Sequence, residues 1–133
     1  MRRARRCEQL LGLRGREPSA AEPQRPLRLG DRVATVGHIL HSEGEERGRQ
    51  LLKKAFRALR SGGTIAIAEW LVHEDRTKPL TSLMFSVQML VNTEKGDTFS
   101  FNQIKNWLED AGFKRVRKLQ APGPSPLILA TKP

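Results

Sequence analysis

His41 directly follows the apolar run VATVGHIL, and Glu69 stands towards the end of the next such run, TIAIAEWLV. An imidazole and a carboxylate can together make a general base. The carboxylate fixes the imidazole tautomer and favours the protonated ring after it has taken up a proton. The two side chains meet only if the runs are neighbouring strands, about 4.8 Å apart, that end at the same rim of a sheet. In open α/β sheets that rim, beyond the carboxyl ends of parallel strands, is where ligands bind. The same spacing also allows a plainer outcome, in which His41 only opens a helix and Glu69 only bonds loop amides.

The elements between and around the pair support the sheet. The run from Val33 to Leu40 has strand length without polar alternation, as expected for a strand covered on both faces. It is followed by HSEGEERGRQLLKKAFRALRSGG, where Ser42 and Glu45 have capping-box spacing and predict a helix from about Glu43. Leu51, Leu52, Ala55, Phe56 and Leu59 fall on one face of that helix, and Gly62 and Gly63 can supply a left-handed stop. Thr64 to Val72 is apolar again, so the segment reads as a parallel βαβ unit.

Further on, Pro79 suits the first turn of a helix whose apolar stripe is Leu80, Leu83, Met84, Val87, Leu90 and Val91. Ser100 and Gln103 repeat the capping-box spacing before a second helix with Phe101, Ile104, Leu108 and Ala111 on its buried face and Gly112 at its end. Lys114 to Leu119 and Leu127 to Thr131 predict two strands. The loop APGPSP between them is too short for a helical crossover, so they form an antiparallel hairpin. The expected fold class is α/β: a partial Rossmann-like sheet, with a parallel βαβ unit, then helices, then a carboxyl-terminal antiparallel hairpin.

A chain of 133 residues holds at most one well-buried core. Its formal charge of +10 is uneven: residues 1–30 carry eight arginines and three acids, and residues 31–133 carry eight lysines, eight arginines and eleven acids. Arg14 to Gly30 has three prolines and no apolar period, so residues 1–30 are expected to be a basic, disordered or non-native segment and residues 31–133 the folded part. The lone Cys7 excludes an internal disulfide and a metal site made of cysteines, which fits a reducing, cytoplasmic location. No run approaches the roughly 20 apolar residues that a membrane span needs. The basic balance admits nucleic-acid binding through the amino-terminal tail and the Lys114 to Lys118 cluster. No reader motif accompanies them, and no specific nucleic-acid or membrane partner is expected.

The ordered series of His41 before a Glu-rich helix, SGG, AIAEW, LMFSVQMLVNT, SFNQIKNWLEDAGF and SPLILATKP resembles S-adenosylmethionine-dependent small-molecule O-methyltransferases over residues 33–133. The resemblance implies that S-adenosyl-L-methionine is the co-substrate, a small hydroxylated molecule the acceptor, and a homodimer the parent assembly. It implies that His41 takes the proton from the acceptor hydroxyl and that Glu69 frames this base. Met84, Met89 and Asn92 match positions lining the acceptor pocket, although methionine at helical spacing also serves core packing and Asn92 can simply end its helix.

Two departures from the family pattern stand out. The second framing acid is replaced by GDTFS, with Thr98 at the nearest match and Asp97 beside it. Ser42 and Glu43 follow His41, where family members often have aspartate and tryptophan. A G-x-G turn after a first strand and an acid ending a second strand, which hold such a cofactor, are not found in the sequence. The chain is therefore expected to be the carboxyl-terminal half of a catalytic domain, a gene fragment or frame-disrupted product that binds the cofactor poorly alone. Two alternatives are methylation of carbon or nitrogen on the same fold, and a non-catalytic module that pairs through an exposed sheet edge.

Overall fold

The computed structural model describes residues 29–133, so the expectation for residues 1–30 lies outside the described residues except at Leu29 and Gly30. Strand β1 (Asp31–Gly37), helix α1 (Leu40–Ala58) and strand β2 (Leu59–Ala68) form the expected parallel βαβ unit, with Val33 opposite Thr64 and Gly37 opposite Ala68. A short strand β3 (Leu71–Val72), helix α2 (Leu80–Asn92), a short strand β4 (Phe99–Ser100) and helix α3 (Phe101–Ala111) follow. The chain closes with β5 (Lys114–Leu119) and β6 (Leu127–Thr131), paired antiparallel as the APGPSP loop requires. β6 also pairs antiparallel with β2, giving the order β1-β2-β6-β5, while β3 and β4 make a separate parallel pair.

The core lies on one side of the main sheet. Ala34, Val36, Ile65, Ile67, Ile128 and Ala130 meet Leu52 and Ala55 of α1 and Ile104, Trp107 and Leu108 of α3 in one buried cluster. Along β1 and β2 buried residues alternate with half-exposed ones, so these strands are not covered on both faces as their apolar runs suggest. Thr64, Ala66 and Ala68 occupy the second face of β2. They are small enough to sit there without a large apolar area to hide.

Local chemistry explains both ends of α3. The Ser100–Gln103 capping box is complete, and Gly112 ends α3 in the left-handed region at φ 107. At Gly112 a Cβ would also press on the Phe56 ring at 2.8 Å. Glu74 adds to this cap: its carboxylate accepts from the Ser100 hydroxyl at 2.7 Å and from the Asn102 amide at 3.2 Å. Nearby, the Thr77 hydroxyl and amide hold the Asp75 carboxyl below its ordinary range.

Two further expectations need correction. Ser42 and Glu45 do not cap a helix at Glu43. The helix starts at Leu40, the Ser42 hydroxyl donates back to the Ile39 carbonyl at 2.9 Å, and Gly44 (φ 76, ψ 177) divides α1 into an opening turn and a long body. Gly62 and Gly63 do not stop α1, which ends at Ala58, but lie inside β2. There they make an excursion that shifts the register between Asp31 and Val33, since a Cβ on Gly63 would meet the Arg60 and Arg32 carbonyls at 2.9 and 3.2 Å. The expected apolar stripe of α2 is present and faces outward: Leu80, Met84, Val87, Leu90 and Val91 are all exposed, and Ser82 is the helix's buried residue. Helical periodicity identified the apolar face correctly but could not say whether this chain covers it.

Lys132 holds the end of α1 against the sheet. Its ammonium donates to the Phe56 and Leu59 carbonyls at 2.7 and 2.6 Å and lies 4.6 Å from the Phe56 ring centre, while its backbone pairs with Gly62 and Gly63. A cation at a helix carboxyl terminus interacts favourably with its unpaired carbonyls. Lys132→Met keeps the stem and removes these bonds. It is expected to cost about 1–2 kcal/mol in urea unfolding, and an unchanged midpoint would show that the contact contributes nothing.

Candidate active site

The parallel register brings the carboxyl ends of β1 and β2 side by side, and His41 and Glu69 meet there. His41 Nδ1 lies 2.6 Å from Glu69 Oε1. The carboxylate is fully buried and also accepts from the Trp70 amide at 3.0 Å and the His41 amide at 3.4 Å. Such convergence of donors offsets part of the cost of removing a carboxylate from water. Because an ionised carboxylate can only accept, a neutral His41 carries its proton on Nδ1 and leaves the Nε2 lone pair free. The contact that the pair requires is present, and the same Glu69 carboxylate also bonds the local amides of the plainer reading.

Two glycines let the surroundings close on this turn. At Gly44 a Cβ would come within 2.5 Å of the Lys95 carbonyl, and at Gly96 within 2.6 Å of the His41 carbonyl. Only glycine therefore lets the segment after α2 press backbone to backbone against the opening turn of α1. The Asp97 amide then donates to the His41 carbonyl at 2.9 Å. The Asp97 carboxylate points to other partners, accepting from Arg76 and from the Thr98 amide, both at 2.7 Å. The structure thus joins Asp97 to His41 through backbone, with the acid itself in a half-exposed ion pair. Thr98, at the nearest match to a second framing acid, is buried with a hydroxyl that has no partner among the described residues.

An aromatic wall completes the site. The Phe85 ring meets the His41 ring edge-on at a centroid distance of 4.8 Å, Trp70 lies 5.6 Å from Phe85, and His38 lies 6.2 Å from Trp70. Beyond Trp70 and Phe85 opens a groove of about 720 Å³ along the exposed face of α2, lined by Leu80, Met84, Val91 and Asn92 among others. Met84 and Asn92 thus face this space, whereas Met89 is half-buried and is not part of the lining. The Asn92 side-chain amide donates to the Gln88 carbonyl at 2.8 Å.

Sequence reasoning did not pick out His38, Trp70 or Phe85 as site residues. Their signals were adjacency: His38 precedes His41 by three positions, Trp70 follows Glu69, and Phe85 follows Met84.

A family model of the O-methyltransferase domain matches residues 26–114. The chain is 34% identical over 108 residues to the tetracenomycin polyketide synthesis 8-O-methyl transferase TcmO of Streptomyces glaucescens, covering 81% of this chain and 32% of that protein. It is 34% identical over 125 residues to the 3-hydroxy-5-methyl-1-naphthoate 3-O-methyltransferase of Streptomyces sahachiroi, covering 91% of this chain and 36% of that protein. Among solved structures, PigF with SAH superposes with a TM-score of 0.76 at 28% identity, over 81% of this chain and 32% of that one. Human N-acetylserotonin methyltransferase in complex with SAM gives a TM-score of 0.74 at 26% identity, over 81% of this chain and 31% of that one. The chain spans about a third of the length of the curated relatives it matches. It belongs to the O-methyltransferase family, whose members use S-adenosylmethionine and have a Rossmann-like fold.

The hydrogen-bond geometry predicts the tautomer of His41. Nitrogen-15 NMR of the neutral ring should show the proton on Nδ1, and Glu69→Gln should redistribute it between the two nitrogens. A wild-type ring protonated on Nε2 would contradict the assignment.

Proposed function

We propose that this chain supplies the general base and the acceptor wall for methyl transfer to a hydroxyl of a small hydroxylated molecule, with His41 as the base. The observation that carries this reading is the 2.6 Å contact between His41 Nδ1 and the buried Glu69 carboxylate at the carboxyl ends of parallel strands, beside an apolar groove. His41 Nε2 accepts the proton from the acceptor hydroxyl. The ring then carries a positive charge, which Glu69 stabilises without a new group having to move. S-adenosylmethionine, when bound, supplies an electrophilic methyl group, so the protein's main task is to align the attacking oxygen.

The described residues fit one flank of that reaction. Gly37, at the end of β1, leaves open space where a Cβ would stand. Trp70, Phe85 and Met84 offer an apolar wall for an aromatic or polyketide-like acceptor. A strand-to-helix glycine turn and a ribose-binding acid are not found among the described residues, so they do not by themselves make a full cradle for the donor. Residues 31–133 are accordingly proposed as the carboxyl-terminal part of a catalytic domain.

A partner reading through the sheet edge has less support. The four-stranded sheet has two edges, β1 and β5, and only β5 carries a run of exposed charge, Lys114, Arg115, Arg117 and Lys118, of the kind that keeps edges from pairing. Among the described residues no helix is long and apolar enough to cross a membrane.

The base is tested in a chimera in which residues 31–133 replace the corresponding part of TcmO. His41→Ala should lower methyl transfer roughly 10²- to 10⁴-fold, with little change in donor affinity. Full activity in the variant would contradict the base assignment.

A further inference from the structure

All three histidines of the chain are among the described residues, and two of them stand at the strand ends with Glu69. One nitrogen each of His38 and His41 and one carboxylate oxygen of Glu69 all lie within 4.8 Å of one another. His38 reaches this position at a cost. It sits just past β1 with φ 52, in the left-handed region that a side chain with a Cβ seldom adopts, and its amide is pinned to the Ala68 carbonyl at 2.8 Å. Its ring is exposed yet oriented, tilted against both Trp70 and His41. Methyl transfer as proposed above does not use His38.

We propose that His38, His41 and Glu69 form a binding site for a divalent transition-metal ion of the zinc type, and that its occupancy blocks the base. Two imidazoles and one carboxylate are a donor set that suits Zn²⁺, with ligand distances of roughly 2.0–2.2 Å. Donor atoms of a tetrahedral zinc site stand about 3.3 Å apart. The present trio therefore needs only a modest inward turn of the His38 ring and a slight opening of the His41–Glu69 contact. The ion would occupy the space between that contact and His38, where the rim is open to solvent on the His38 side and a water can complete the coordination. The buried carboxylate gives the site its negative charge. Ile39, between the two histidines, is itself buried and fixes the turn from which both project.

The site differs from the resident zinc centres of metalloenzymes in one respect: two of its ligands are already engaged with each other. Metal and hydrogen bond thus draw on the same two side chains, so the ion acts as a reversible stop. Metal binding itself follows from ligand geometry alone. Only its consequence for methyl transfer rests on the reading of His41 as base, and a direct binding measurement keeps the two apart.

The 133-residue chain, freed of metal by chelation, is titrated with Zn²⁺ by calorimetry and with Co²⁺ by visible absorption. One ion per chain is expected, and Zn²⁺ should raise the melting temperature of the wild type because it binds the folded state. His38→Ala and Glu69→Gln should each weaken binding at least about 10-fold. His38→Cys, which exchanges one zinc donor for another, should retain it. Cys7→Ser and His73→Ala should bind as the wild type does. Absence of saturable one-to-one binding, affinity unaffected by His38→Ala, or loss of binding in Cys7→Ser or His73→Ala would overturn the proposal. Melting of each variant without metal shows whether it folds, and the exposed position of His38 leaves its substitution free of core disruption.

Discussion

The structure is organised around one constraint, the parallel pairing of β1 with β2 in a register that ends both strands together. Gly37 opposite Ala68 fixes where the chain leaves the sheet on each side. From those two exits the next few residues must turn, and the turns carry His41 and Glu69. A two-residue slip would keep the same faces buried but draw the imidazole and the carboxylate apart by nearly 7 Å along the strand. The core on the helix side, from Ala34 and Val36 through Ile65 and Ile67 to Ile128, is what holds that register.

The pair then depends on burial. Glu69 has no exposure and His41 has 8%, so their contact is little weakened by solvent. A buried carboxylate without partners would cost far more than its packing returns. Here three donors converge on it, two of them backbone amides that cannot rotate away. The same amides belong to His41 and Trp70, so Glu69 orients the ring, the opening turn of α1 and the start of the aromatic wall in one contact. Gly44 and Gly96 complete the enclosure by allowing the segment after α2 to lie against that turn. Asp97 contributes through its amide, while its carboxylate is held by Arg76 in an exposed pair of the kind that adds little stability.

Much of this was legible in the sequence because it rests on local rules. Ser100 and Gln103 signalled a capping box, Gly112 a left-handed stop, and the short APGPSP loop an antiparallel hairpin, and all three are present. Apolar runs on either side of a helical period gave the βαβ unit, and with it the meeting of His41 and Glu69. What failed depended on distant contacts. The Gly62–Gly63 pair looks like a helix stop by itself, but its use is set by the Arg32 and Lys132 backbones that pack against it. Ser42 has a capping spacing, yet the helix begins earlier because its first turn is fastened to Glu69 and to the segment around Gly96. The apolar stripe of α2 was read correctly as a face, but whether it is buried depends on what lies opposite. Here it lines a groove, and Leu90 and Val91 are more than three-quarters exposed. His38 has a functional residue type, but nothing in the periodicity marks a ring that is both exposed and held in place.

If His41 and Glu69 act as one unit, their substitutions must not behave independently. A double-mutant cycle on methyl transfer, comparing His41→Ala, Glu69→Gln and the double variant in the TcmO chimera, measures that coupling directly. The double variant is expected to be no slower than His41→Ala alone, since a carboxylate that works through the imidazole has nothing left to do once the ring is gone. Additive losses, with the double variant slower by the product of the two single effects, would show that Glu69 does not act through His41 and that the two side chains are not one unit.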